Sequence, residues 1–244
     1  MQMHEPITTT FDNNFINIIQ KVYSCKYEFS HELNNFHMIL NESSISDYEK
    51  ASTKRIKIIG KDRTSVFYDD YHNFIDKTSL FNDIYHKFIS DYVKPLYAVN
   101  GKIVVQKTPN LRISFPNTTA IGKHLNENES DNVIGLHKDS DFGHHTSEVN
   151  FIIPLTDMFD TNSIYYEPYI GSGLSTNEFL NLKLSTNEFF ICKFNQLLHF
   201  NKINNTGVTR MSLDFRIIPY DKYIKNEEYF INTKFEIGRY YIVL

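Results

Sequence analysis

Thr209-Arg210-Met211-Ser212-Leu213-Asp214-Phe215-Arg216-Ile217-Ile218-Pro219 is the stretch that decides the fold. Side chains on a strand alternate between its two faces. Met211, Leu213, Phe215 and Ile217 therefore make one apolar face, and Arg210, Ser212, Asp214 and Arg216 make the other. A strand this apolar on one side belongs in a packed sheet, so the charges on its second face need partners inside the protein. Working back along the chain, short runs rich in Val, Ile, Phe, Tyr and Thr occur at 102–107, 111–115, 148–155, 163–169 and 188–194, with one more at 234–244. Clusters of Asn, Gly, Asp and Pro separate them. Successive short strands at this spacing predict a β-sandwich or barrel and argue against βαβ units.

The first hundred residues read differently. Phe81, Ile84, Tyr85, Phe88, Ile89, Tyr92 and Val93 follow the spacing of an amphipathic helix. Pro95 is expected to stop it. A weaker helical period runs from Phe11 to Val22. The expected organisation is one domain over 1–244: a mixed, partly helical part at 1–100, a β core at 101–220 and an extension at 221–244. The hexapeptide Leu174-Ser175-Thr176-Asn177-Glu178-Phe179 recurs as Leu184-Ser185-Thr186-Asn187-Glu188-Phe189. A solenoid needs three or more such units, so this is a local duplication.

Among 244 residues, 41% are hydrophobic and 22% charged, with 9 Gly and 7 Pro, which excludes collagen-like and low-complexity chains. Lys and Arg total 25 against 29 Asp and Glu, a formal net charge of −4. A nucleic-acid partner calls for a basic balance or stripe, and neither is present. No run approaches the roughly 18 apolar residues of a membrane span. The opening MQMHEPITTTFDNN lacks the basic start and apolar run of a secretory signal. Cys25 and Cys192 are too few for a disulfide framework and read as free thiols. A cytoplasmic location is expected.

Gly135-Leu136-His137-Lys138-Asp139-Ser140-Asp141 holds the one His-x-Asp of the chain. On a strand, positions i and i+2 present an imidazole and a carboxylate side by side. His199 follows sixty residues later, just after the run at 188–194. Two His and one carboxylate make the facial triad of non-haem Fe(II) enzymes, which leaves metal positions open. Arg210 lies eleven residues beyond His199, and none of the other nine His has an Arg at that offset. A guanidinium with a nearby hydroxyl, as in Arg210-x-Ser212, suits bidentate capture of a carboxylate.

His137-x-Asp139, His199 and Arg210-x-Ser212, with Leu136-His137-Lys138-Asp139-Ser140, Glu148-Val149-Asn150-Phe151-Ile152-Ile153-Pro154-Leu155-Thr156 and the run 205–216, resemble Fe(II)/2-oxoglutarate-dependent oxygenases. The likeness is to the phytanoyl-CoA-hydroxylase-like branch, and within it to the StrG type of streptomycin biosynthesis. It covers roughly residues 103–220. The resemblance implies an all-β core with helical elaboration, a double-stranded β-helix (jelly roll) flanked by N-terminal helices. It implies Fe(II) on His137, Asp139 and His199, with 2-oxoglutarate and O2 as cosubstrates. Arg210 and Ser212 would take the distal carboxylate of 2-oxoglutarate. Asn150 would touch the cosubstrate or orient a ligand; its bland alternative is a buried Asn bonded to backbone. Asp139 stands where related halogenases carry a small residue, so the expected reaction is hydroxylation of a small polar metabolite: a sugar, an aminoglycoside-like or an amino-acid-like molecule. Arg112 is a candidate substrate contact or an ion-pair member. The dyad His144-His145 is either a substrate contact or a solvated loop. Two rivals stay open on the residues alone: a non-catalytic jelly-roll module for a sugar or peptide, and a cupin-type metalloenzyme independent of 2-oxoglutarate. Specificity is expected in the loops 117–131 and 171–181.

Overall fold

The computed structural model describes residues 11–41, 66–117 and 133–244. The loop expected at 117–131 thus lies almost entirely outside the described residues. The N-terminal part carries α1 (Asn14–Tyr27), a 3-10 segment (Leu33–Asn41), α2 (Val66–Ile75), α3 (Ser79–Phe88), a π turn (Ile89–Val93) and α4 (Lys94–Tyr97). Ten strands follow among the described residues: β1 (Ile103–Gln106), β2 (Asn110–Ser114), β3 (Ile134–His137), β4 (Val149–Pro154), β5 (Ile164–Tyr166), β6 (Leu180–Asn181), β7 (Phe190–Cys192), β8 (His199–Asn201), β9 (Arg210–Pro219) and β10 (Tyr241–Val243). Two short helices, α5 (Tyr220–Lys225) and α6 (Glu227–Phe230), separate the last two strands.

The strands form two sheets with antiparallel pairings throughout. The larger runs β10-β1-β9-β4-β7, with β2 also on β9, and the smaller runs β3-β8-β5-β6. β9 is the longest strand and organises the large sheet. Its first half pairs with β2 from Arg210 to Asp214, its second half with β1, and its other edge with β4.

The apolar face of β9 is buried under the helices, as the alternation predicts. Phe15, Ile19, Tyr85 and Phe88 join Phe151, Leu213, Phe215 and Ile217 in one cluster. Phe215 stacks on Phe151 at 5.1 Å between ring centroids and meets Tyr85 edge-on at 5.2 Å. A second cluster lies between the sheets and includes Ile152, Phe190 and Cys192 of the large sheet and Tyr166 of the small one. A third, with Val104, Ile218, Tyr223, Phe230, Phe235 and Tyr241, ties the C-terminal segment to β1 and β9. No helix among the described residues is long and apolar enough to cross a membrane.

Pro95 does not stop the helical run. The chain passes through a π turn, where the Lys94 N–H donates to the Ile89 carbonyl, and Pro95 then occupies the first turn of α4. A missing N–H is tolerated at a first turn, because that donor has no helical acceptor. The expected strand at 234–244 shrinks to Tyr241–Val243, since 220–230 is helical and Phe235 turns into the third cluster.

Candidate metal centre

His137 ends β3 and His199 opens β8, and the sheet register sets them directly opposite each other. Their ring centroids are 4.3 Å apart. Asp139 is not on the strand with His137. After extended Lys138 it begins a 3-10 turn, and its N–H donates to the Phe194 carbonyl at 2.8 Å. The extended intervening residue keeps the two side chains on one side, so the i, i+2 expectation holds although the strand has ended. One ligand atom from each of His137, Asp139 and His199 lies within 4.8 Å of the others.

The hydrogen bonds around the three residues fix their chemistry. His137 Nδ1 meets the Gly135 carbonyl and His199 Nδ1 meets the Leu197 carbonyl at 3.1 Å. A carbonyl only accepts, so each Nδ1 carries the proton and each Nε2 presents a lone pair. Those two atoms stand 3.7 and 3.9 Å from Asp139 Oδ1. Three electron pairs thus converge at distances too long for a direct hydrogen bond. This arrangement is repulsive by itself and fits a divalent cation. Burial lowers the pKa of His199 to about 4, with His137 and Arg216 acting in the same direction and Asp139 against them. His199 is therefore a neutral donor at pH 7. Burial alone would raise the pKa of Asp139, but Arg216, His137 and His199 hold it well below the usual carboxylate range. The donor set is that of a two-histidine, one-carboxylate iron site with an open face.

Behind the triad lies a buried polar layer. Asp139 Oδ2 accepts from Asn150 Nδ2 at 2.9 Å and from Arg216 Nε and Nη2 at 3.2 and 2.5 Å. Asn150 Oδ1 accepts from the Phe194 N–H at 3.1 Å. Asn150 thus bonds to backbone, as its bland alternative had it, and also to the candidate ligand Asp139. Arg216 also donates to the Tyr240 hydroxyl at 3.2 Å and stands 3.7 Å from Glu148. Glu148 is fully buried and accepts from His144 at 2.8 Å and from the His145 N–H at 3.0 Å. His144 is thus a buried structural residue, which neither reading of the dyad anticipated. Glu167 anchors the start of β8 by accepting from the Leu198 N–H at 2.9 Å, and Phe194 stacks on His199 at 4.2 Å between centroids.

Arg210 and Ser212 are buried on the same face of β9 as Arg216, in register with Ser114 and Arg112 of β2. Six steps along the strand, about 20 Å of backbone, separate Arg210 from Arg216. Arg112 donates to Asp214 at 2.9 and 3.3 Å, which realises its ion-pair reading. Sequence reasoning had required partners for the polar face of β9. It did not identify Arg216 with Asp139, nor Glu148 and Tyr240 behind them. The parity of the strands carried part of that signal, because Asn150 and Arg216 are both inward.

No family model matches the chain. Among curated proteins, Streptomycin biosynthesis protein StrG of Streptomyces griseus is 27% identical over 143 residues, which are 57% of this chain and 59% of that protein. The chain thus matches less than two thirds of its relative's length. The resemblance read from the motifs is met by that protein. Among solved structures, a non-heme monooxygenase, ThoJ in complex with nickel, is 17% identical over 54% of this chain and 49% of its own, with a TM-score of 0.40. HygX from Streptomyces hygroscopicus, with nickel and 2-oxoglutarate bound, is 13% identical over 49% and 55%, with a TM-score of 0.25.

Proposed function

We propose that the chain is an Fe(II)- and 2-oxoglutarate-dependent oxygenase on a jelly-roll core, hydroxylating a small polar metabolite. The observation that carries this reading is the convergence of two proton-free Nε2 atoms and one carboxylate oxygen in a buried site. His137, Asp139 and His199 would hold the iron. When bound, iron with 2-oxoglutarate and O2 supplies the oxidising power to replace a C–H hydrogen by hydroxyl, with release of succinate and CO2. The chain's own part is positioning. The carbonyls of Gly135 and Leu197 hold the imidazoles in their ligating tautomer, and Phe194 keeps water from one flank of His199. Arg210, buried on the inward face of β9, takes the distal carboxylate of 2-oxoglutarate, with Ser212 adding a hydrogen bond. Arg216 is engaged by Asp139, which supports Arg210 for that role. Asp139 supplies the third protein ligand, and this supports hydroxylation over halogenation.

The test is an anaerobic titration of the protein with Fe(II) and 2-oxoglutarate. A weak visible charge-transfer band is expected from the parent. Arg210→Ala should lose about 2–5 kcal/mol of 2-oxoglutarate affinity, the usual effect of truncating one side of a buried charged pair. No band in the parent would favour the non-catalytic module. A band that is indifferent to Arg210→Ala would move the carboxylate to another residue.

A further inference from the structure

We infer that Arg216 is a positioning residue which, together with Asn150, holds Asp139 as a one-oxygen metal ligand. The inference rests on the reading of the triad as a metal site. The two oxygens of Asp139 have different surroundings. Oδ2 accepts three N–H groups, from Asn150 Nδ2 at 2.9 Å, Arg216 Nε at 3.2 Å and Arg216 Nη2 at 2.5 Å. A carboxylate oxygen has about two lone-pair sites. Those on Oδ2 are committed, so it has none to offer a metal. Oδ1 faces both imidazoles instead.

The brace is itself rigid. Asn150 on β4 and Arg216 on β9 are direct cross-strand partners, so the sheet sets their spacing. Asn150 is pinned at its other end by the Phe194 N–H, and the same residue's carbonyl takes the Asp139 N–H. Arg216 is pinned by the Tyr240 hydroxyl and by Glu148. Turning the carboxylate to present both oxygens would strip a fully buried guanidinium of its closest anion, which is strongly unfavourable. The consequence is a count. A one-oxygen Asp139 commits three protein atoms and leaves three positions on a six-coordinate ion, whereas a two-oxygen Asp139 leaves two. A chelating 2-oxo acid takes two, so the brace preserves the last one.

Mn(II) is the probe, because water-oxygen line broadening in H2(17)O counts its bound waters without turnover. The parent should bind one Mn(II) carrying three waters. Arg216→Met and Asn150→Ala should each lower Mn(II) affinity by about 10- to 100-fold, the usual effect of removing a partner of a metal ligand. Arg216→Met should also drop the count from three waters to two, whereas Asn150→Ala, which leaves both Arg216 donors on Oδ2, should keep three. Arg216→Lys, which keeps a donor and the charge, should restore the third water. Should Arg216→Met fail to fold, Arg216→Gln decides, since it keeps a polar side chain there while removing the charge and the paired donors. Folded variants with the parent's affinity and three waters would overturn the brace while leaving the metal site standing. A parent that binds no Mn(II) would overturn the metal site itself, and the brace with it.

Discussion

The two faces of β9 are both largely buried, Asp214 alone being half-buried between 210 and 217, and are held by different physics. Leu213, Phe215 and Ile217 are 0% exposed on one side, and Arg210, Ser212 and Arg216 are 1–3% exposed on the other. The outer face gains from every apolar contact independently, so losing a methyl costs only that methyl and the space it leaves. The inner face carries Arg216 against Asp139 and Arg112 against Asp214. There each charge is tolerated because of its partner, and removing one side strands the other. One strand thus teaches that burial alone does not set the cost of a substitution. The kind of contact sets it, and the demanding kind is concentrated beside the candidate metal ligands.

The largest expected effect breaks the inner face. Arg216→Met should destabilise the metal-free protein by about 3–5 kcal/mol, because it leaves the Asp139 carboxylate buried without its cation. Adding Asp139→Leu should recover most of that loss. Urea denaturation of the two variants checks both statements. If Arg216→Met costs no more than a trimmed methyl, the two faces are not different.

Acid should weaken the inner face by a somewhat smaller amount. His199 is lowered to about 4 in the folded protein against an unfolded value near 6.5. Between those values the unfolded chain takes up a proton that the folded one does not, so stability falls as pH falls through that window. The loss is about 3 kcal/mol for this group. Asp139, whose pKa is also lowered, adds a loss in the same direction below the ordinary carboxylate range. Denaturation midpoints of the metal-free protein from pH 7 to pH 4 provide the measurement, and His199→Gln should flatten the upper part of the profile.

The smallest effect belongs to the outer face. Ile217→Val should cost about 0.5–1.5 kcal/mol and leave Mn(II) affinity unchanged. A change in metal affinity there would mean that the two faces are coupled through the strand.

Much of the site was legible along the chain. The spacing of His137-x-Asp139 and the position of His199 marked the three residues that the fold brings together, and the alternation of 209–219 announced a buried polar face. The partner of that face was not legible. Arg216 reaches Asp139 across 77 residues, and Glu148 reaches Arg216 from the residue just ahead of β4. Spacing along one chain segment says nothing about which strands become neighbours.

The repeated hexapeptide separates the two kinds of information. Both copies close a turn with the same side-chain bond: the Ser175 N–H donates to Glu178 at 3.1 Å, and the Ser185 N–H donates to Glu188 at 2.7 Å. Sequence by itself determined that much, as it determined the strand alternation, because such preferences are satisfied within a few residues of backbone. The closing phenylalanines then part company. Phe179 packs on Phe200 of the small sheet, whereas Phe189 lies among Phe11, Phe88 and Phe151 under the helices. Only the tertiary structure decided those neighbours, as it decided that Asp139 would face Arg216. A buried side chain is stabilised by whatever the pairing of distant strands brings against it, and six identical residues carry no record of that pairing.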